Sequence, residues 1–361
     1  MAKFFQKHLI LIILVIFAIG NFFIVKHYTP GTPSNLMDGY HGWFDQQQYY
    51  LIAKDLYFGK INAEQYLYPL GFPLIAVPFF AVDKIDPFLI PSLIIWVTSV
   101  ILFYRTVLNY TNDKFVTILG TFIYILGTSI SQNFVLYWTT NLGIFFSVCL
   151  MYIMSLNKIS IKYSLIIGCI LGYYFFTRTF DFVFYFPLII LYVFELLKKR
   201  DLRKVTVHFF YISIFLTFFI ILQGILDYYV FGNVFITPYS KHLASKMDWF
   251  VPELFISNWK GMLFGTSSLD ENRLYPPLIR NNIISIILFL FSTLILVKSK
   301  FKSLLTLPYM VILIYIFFYG SYLFFSADNV KFYSERFLTP IIPIIIVIGM
   351  IQISQIKNKK F

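Results

Sequence analysis

Residues 8–26 read HLILIILVIFAIGNFFIVK, an apolar stretch with no acid and with basic groups only at its two ends. As a helix rising about 1.5 Å per residue it covers about 28 Å, close to the roughly 30 Å hydrocarbon core of a bilayer. Nine further runs of the same character follow, at about 87–106, 114–131, 135–155, 162–177, 179–197, 205–227, 280–298, 303–325 and 337–356. The composition points the same way. Apolar residues make up 59% of the 361, aromatic residues 21% and charged residues only 13%. Soluble domains carry about twice that share of charge; in water a core of this size would have no polar skin. Disordered, collagen-like and disulfide-stapled chains fall on the same numbers. The expected fold is an all-α polytopic membrane protein, a single transmembrane domain over residues 1–361 with about ten spans and external juxtamembrane helices. The fifth run is short enough to be half of a hairpin that does not fully cross. The first run resembles a signal peptide in having Lys3 and Lys7 ahead of it, but its length and the lack of a clean cleavage site favour a retained helix.

The net charge of +12 reads as topology rather than as a nucleic-acid surface. With the N-terminus cytoplasmic, the short inside segments hold 17 of the 29 basic residues, among them Arg105, Lys114, Lys198, Lys199, Arg200, Arg203 and Lys204. Only Asp113, Glu195 and Asp201 oppose them there, which leaves 12 basic and 14 acidic residues for the outside. That asymmetry is the positive-inside pattern. It places both termini in the cytoplasm and two large segments outside, at about 27–86 and 228–279. No inside loop is long enough for a domain, so any chemistry belongs to the external face. Cys149 and Cys169 lie in apolar runs and read as small core residues.

Nucleotide-binding loops, a Gly-x-Ser-x-Gly elbow and His-Glu-x-x-His are all absent, and the five histidines do not cluster at metal-ligand spacing. The informative stretch is Gly42-Trp43-Phe44-Asp45-Gln46-Gln47-Gln48-Tyr49, continued by Ile52, Ala53, Leu56 and Gly59. Tyr49, Ile52, Ala53 and Leu56 recur at helical spacing, with Asp45 where an N-cap would sit and Gly59 where a helix would stop. The predicted element is a short amphipathic helix on the outer face, its Asp45 either a cap or a reactive carboxylate. Asp38, seven residues earlier beside Gly39, is either a turn residue or a second acid.

This run resembles the first external loop of GT-C glycosyltransferases, in particular their bacterial mannosyltransferase- and arabinosyltransferase-like branch. Three further stretches share the likeness: Tyr66 to Phe80, Gly172 to Asp181 (with Thr179 where such proteins often read proline) and Glu335 to Pro343. The resemblance implies an integral enzyme of the cell's inner membrane that moves a sugar from a polyprenyl-phosphate donor to an acceptor hydroxyl by inverting displacement. The acceptor, whether glycan, lipid or protein, is left open. Asp45 would be the general base, with Asp38 as the alternative and with Gln48 and Tyr49 beside it. Arg178 and Asp181, the only charges between Tyr163 and Phe194, fall at an outer turn; a charge at such depth is a functional candidate by default, and an i, i+3 ion pair is the other reading. Arg178, Arg336, Lys241 and Lys260 are the candidates for the donor phosphate, supported by His242 and Glu335. No cofactor is called for, except that a divalent ion at Asp38 and Asp45 stays open. A ligase or polymerase of surface polysaccharide and a lipid or sugar transporter are the competing classes.

Overall fold

The computed structural model describes residues 2–29, 44–63, 66–238, 251–264, 278–298, 305–321 and 334–358. Asp38, Lys241 and His242 lie outside the described residues, as do the side chains of Lys260 and Glu335. Among the described residues there is no β-strand, and the chain is a helical assembly.

The order begins with α1 (Ala2–Tyr28), α2 (Phe44–Tyr57), α3 (Gly71–Ala76), α4 (Leu89–Thr111), α5 (Lys114–Leu126), α6 (Thr128–Val135) and α7 (Thr139–Ser155). It continues with α8 (Ile161–Phe175), α9 (Phe186–Lys198), α10 (Leu202–Phe231), α11 (Phe255–Phe264), α12 (Leu278–Lys298), α13 (Thr306–Gly320) and α14 (Ile342–Asn358). Each of the ten apolar runs contains a helix, but ten full crossings are more than these helices support. Four are long and apolar enough to span: His8–Tyr28, Leu89–Thr111, Leu202–Phe231 and Arg336–Lys357; α5 with α6 makes a fifth if that bent pair is one span. The others in the apolar runs have 17 residues or fewer outside α12, and α12 leaves helical geometry at Asn282. At about 1.5 Å per residue, helices of 13 to 17 residues rise only about 20–25 Å. The apolar sequence runs on through breaks in the hydrogen-bond ladder: Gly127 is extended, and α6 leaves α5 at 53°.

Polar caps set several starts. Asp113 accepts from the amides of Phe115 and Val116 to open α5, and Ser160 accepts from that of Tyr163 to open α8. α8 and α10 come close through Gly168 and Gly172, one helical turn apart; a Cβ on Gly168 would overlap the Ile212 carbonyl oxygen, and one on Gly172 would sit 2.8 Å from the Phe215 oxygen. Small residues at this spacing are the usual means of bringing two helices together in lipid. α14 is the centre of the assembly, with 89% of its most apolar window buried, whereas α1 and α10 have 17% buried and face outward. α1 is nonetheless fixed in place: Trp96 donates to the Ala18 carbonyl at 2.9 Å, and Asn21 to that of Ile125 at 3.0 Å.

Candidate functional site

The expected amphipathic helix is α2. Its Tyr49, Ile52 and Ala53 are buried, and Gly59 follows at φ 69°, a left-handed stop. Asp45 lies in its first turn. The carboxylate does not act as a cap: Oδ1 accepts from the Tyr68 hydroxyl at 2.6 Å, and Oδ2 is ion-paired with Arg336 Nη2. Arg336 comes from the 3-10 turn Ser334–Ile341, so the pair joins positions 291 residues apart. Its guanidinium carbon lies 4.6 Å from the centre of the Trp138 ring and 4.9 Å from that of Phe337. Both rings lie within cation–π reach of the guanidinium. The Asp45 and Arg336 side chains keep 19% and 18% exposure, so the pair can be reached. Among the described residues only Nη2 of Arg336 is hydrogen-bonded; its other N–H groups remain available to an anion. Tyr49 packs against Tyr68 and Phe72, and Gln48 is partly exposed on the same helix.

Arg178 and Asp181 form the i, i+3 pair, Nε to Oδ2 at 2.6 Å, and both are buried. Arg178 has no nitrogen to spare: Nη1 donates to Thr139 Oγ1 at 3.2 Å and Nη2 to the Tyr319 hydroxyl at 2.6 Å. Asp181 also accepts from Tyr319 at 2.5 Å and from Tyr174 at 3.1 Å. Burial opposes the charge of Arg178, but Asp181 and the surrounding tyrosines outweigh it and hold its proton more tightly than usual. Such a network ties α7, α8 and α13 together. It touches the first site through Phe337, whose ring centre is 5.0 Å from the Arg178 guanidinium and which stacks on Tyr319. A phosphate could reach Arg178 only by displacing these partners, whereas the Arg336 guanidinium has one hydrogen-bond partner, Asp45, among the described residues.

No protein-family model, curated protein or solved structure matches this chain.

A third charge pair, Lys26 with Asp86, is buried between the end of α1 and the approach to α4, and the Tyr137 hydroxyl bonds both, at 2.9 Å and 3.0 Å. The three pairs converge on Tyr137, Trp138 and Thr139, at the junction of α6 and α7, and the preceding Leu136 is tied to the neighbour of Asp45. Leu136 accepts from the Gln46 amide, Tyr137 bridges Lys26 and Asp86, Trp138 lies under Arg336, and Thr139 binds Arg178. Tyr137 reaches its place with φ 54°, a costly angle for a residue with a Cβ. The sequence reading singled out none of these four, nor Tyr68 or Phe337, as site residues; only their position at the ends of the apolar runs could have flagged them. Among the described residues no group of three or more His, Cys, Asp or Glu could hold a metal. A divalent ion at Asp45 would have to displace the Arg336 guanidinium.

Proposed function

We propose that this chain is a membrane-embedded glycosyltransferase that moves a sugar from a polyprenyl-phosphate-linked donor to an acceptor hydroxyl at the outer face. The observation that supports it best is the reachable Asp45–Arg336 pair, an acid and a cation held by aromatic rings at the start of an amphipathic helix. Transfer from a phosphate-linked sugar needs one group of each kind. The acceptor oxygen attacks the anomeric carbon, Asp45 takes the hydroxyl proton, and the bond from that carbon to the phosphate oxygen breaks with its electrons left on the phosphate. Arg336 then meets the growing negative charge. Because Asp45 and the phosphate compete for one guanidinium, arrival of the donor would release the base. Outside the cytoplasmic membrane there is no nucleotide-sugar pool, so a lipid carrier is the natural source of the activated sugar. The exposed apolar faces of α1 and α10 suit a lipid neighbour.

The same reading keeps the ten-run map with both termini cytoplasmic, in a bacterial inner membrane. The shorter helices would cross where the bilayer thins or where flanking 3-10 turns extend them. A transport reading draws on Asp227, an acid inside a long apolar helix, but that residue lies only four positions from the helix end.

The test is sugar transfer from a lipid-linked donor in vesicles. Asp45→Asn keeps the shape and one of the two acceptor oxygens, puts an amide nitrogen in place of the other, and removes the basicity. A loss of about 10²–10⁴-fold in rate with donor binding intact is expected; transfer at the parental rate would remove Asp45 from the mechanism.

A further inference from the structure

α10 carries a second acid in unusual surroundings. The helix shows its apolar side chains to the outside over most of its length, and its buried positions include Gln223 and Asp227. Asp227 is 1% exposed. It is the only acidic residue within the four long apolar helices and the bent pair. Its partners are neutral: Gln223 Nε2 donates to Oδ1 at 2.8 Å, and the Tyr66 hydroxyl lies 3.5 Å from the same oxygen. No described cation pairs with it. The end of α10 adds to the imbalance, because its last turn holds no basic residue and the helix dipole there is negative. A buried carboxylate without a counter-charge is among the costlier arrangements in a protein.

A second observation points to what is missing. Gln223 Oε1 is buried without a hydrogen-bond partner, although the nitrogen of the same amide is held by Asp227 and, at 2.9 Å, by Tyr66. The cluster therefore has oxygen acceptors in excess and lacks positive charge. We propose that Asp227, Gln223 and Tyr66 form a binding site for a small alkali cation at the end of α10, with the Gln223 amide turned over on binding so that Oε1 takes the place that Nε2 now holds beside Asp227 and Tyr66. Carboxylate, amide and hydroxyl oxygens are the ligands hard cations take, and helix C-terminal carbonyls serve the same ions in membrane proteins. A shallow surface pocket lined by Ile52, Asp55, Leu56, Lys60, Ile61 and Asn62 also touches Tyr66.

This site stands apart from sugar transfer and is tested without it. The full-length protein is melted in detergent in sodium, potassium or choline chloride at equal ionic strength, together with Asp227→Asn and Gln223→Met. Sodium or potassium should raise the melting temperature by a few degrees over choline, increasingly with concentration. The rise should vanish in Asp227→Asn and shrink in Gln223→Met; if the first variant does not fold, the second carries the comparison. Equal melting in all three salts would overturn the proposal. So would a full cation-dependent rise retained without the Asp227 carboxylate. A wild-type protein that responds to pH but to neither metal ion would assign the site to a proton and also overturn it.

Discussion

Among the described residues Arg336 has one hydrogen-bond partner, Asp45, and lies over two aromatic rings. A lysine in its place keeps the charge but loses both the fork and the ring contacts. A charge-assisted hydrogen bond is worth about 1.5–3 kcal/mol, so Arg336→Lys should raise the donor KM by about 10- to 100-fold; initial rates against donor concentration give the answer. Trp138→Leu removes one of the two rings and should raise it less, a few-fold, in line with about 0.5–2 kcal/mol for a cation over an aromatic face. If Trp138→Leu instead lowered kcat with KM unchanged, the ring would be acting on something other than the guanidinium. The charged residues of this site were legible in the sequence because charge is scarce: Asp45, Arg178, Asp181 and Arg336 stand out in a chain with 13% charged residues. Tyr68, Trp138 and Phe337 were not, because aromatic residues are 21% of the chain and one more carries no signal.

Elements were readable in kind and misread in length. The stop of α2 at Gly59 follows from local rules; the cap expected at Asp45 does not, because that carboxylate is taken by Tyr68 and Arg336 within the first turn. The breaks at Gly127 and around Tyr137 do not, since hydropathy reports the solvent a side chain prefers and is blind to whether a backbone ladder continues. The contact between α8 and α10 makes its own prediction. Gly168→Ala places a methyl group against the Ile212 backbone, and such overpacking costs about 1–3 kcal/mol, read as a lower melting temperature in detergent. At the start of α5, Asp113 caps the helix and is bonded by Lys357 of α14 at 2.6 Å. Lys357, with the capping amides, holds the Asp113 carboxyl below the usual range. A lowered folded-state pKa gives stability that is present above the unfolded value, near 4, and is lost as the pH falls through the folded one. Asp113→Ala should therefore melt earlier than the parent at neutral pH, and the two should converge below about pH 4. A gap that persisted in acid would mean that the residue acts by packing alone.

For the whole molecule, the map of basic residues makes the plainest claim. With Cys149 and Cys169 replaced, single cysteines introduced at Arg200 and at Phe250 should react with a membrane-impermeant thiol reagent from opposite sides; reaction of both from outside would invert or break the map. Which helix lies in the middle could not be read beforehand. α1 and α14 are both apolar all round, and a helix without a polar face does not say which side it buries. One feature ties this scale to the first. Of the four residues from Leu136 to Thr139, the last three each serve one of three charge pairs drawn from distant parts of the chain, and Leu136 is tied to Gln46. Connectors are usually where proteins gain or lose residues freely. Here one inserted residue would shift every downstream side chain by a position, so that whichever contact was kept, the others would face the wrong neighbours. Deep insertion scanning should accordingly find this short link as intolerant of length change as the interior of α14, and the chain's evolutionary room for lengthening must lie elsewhere.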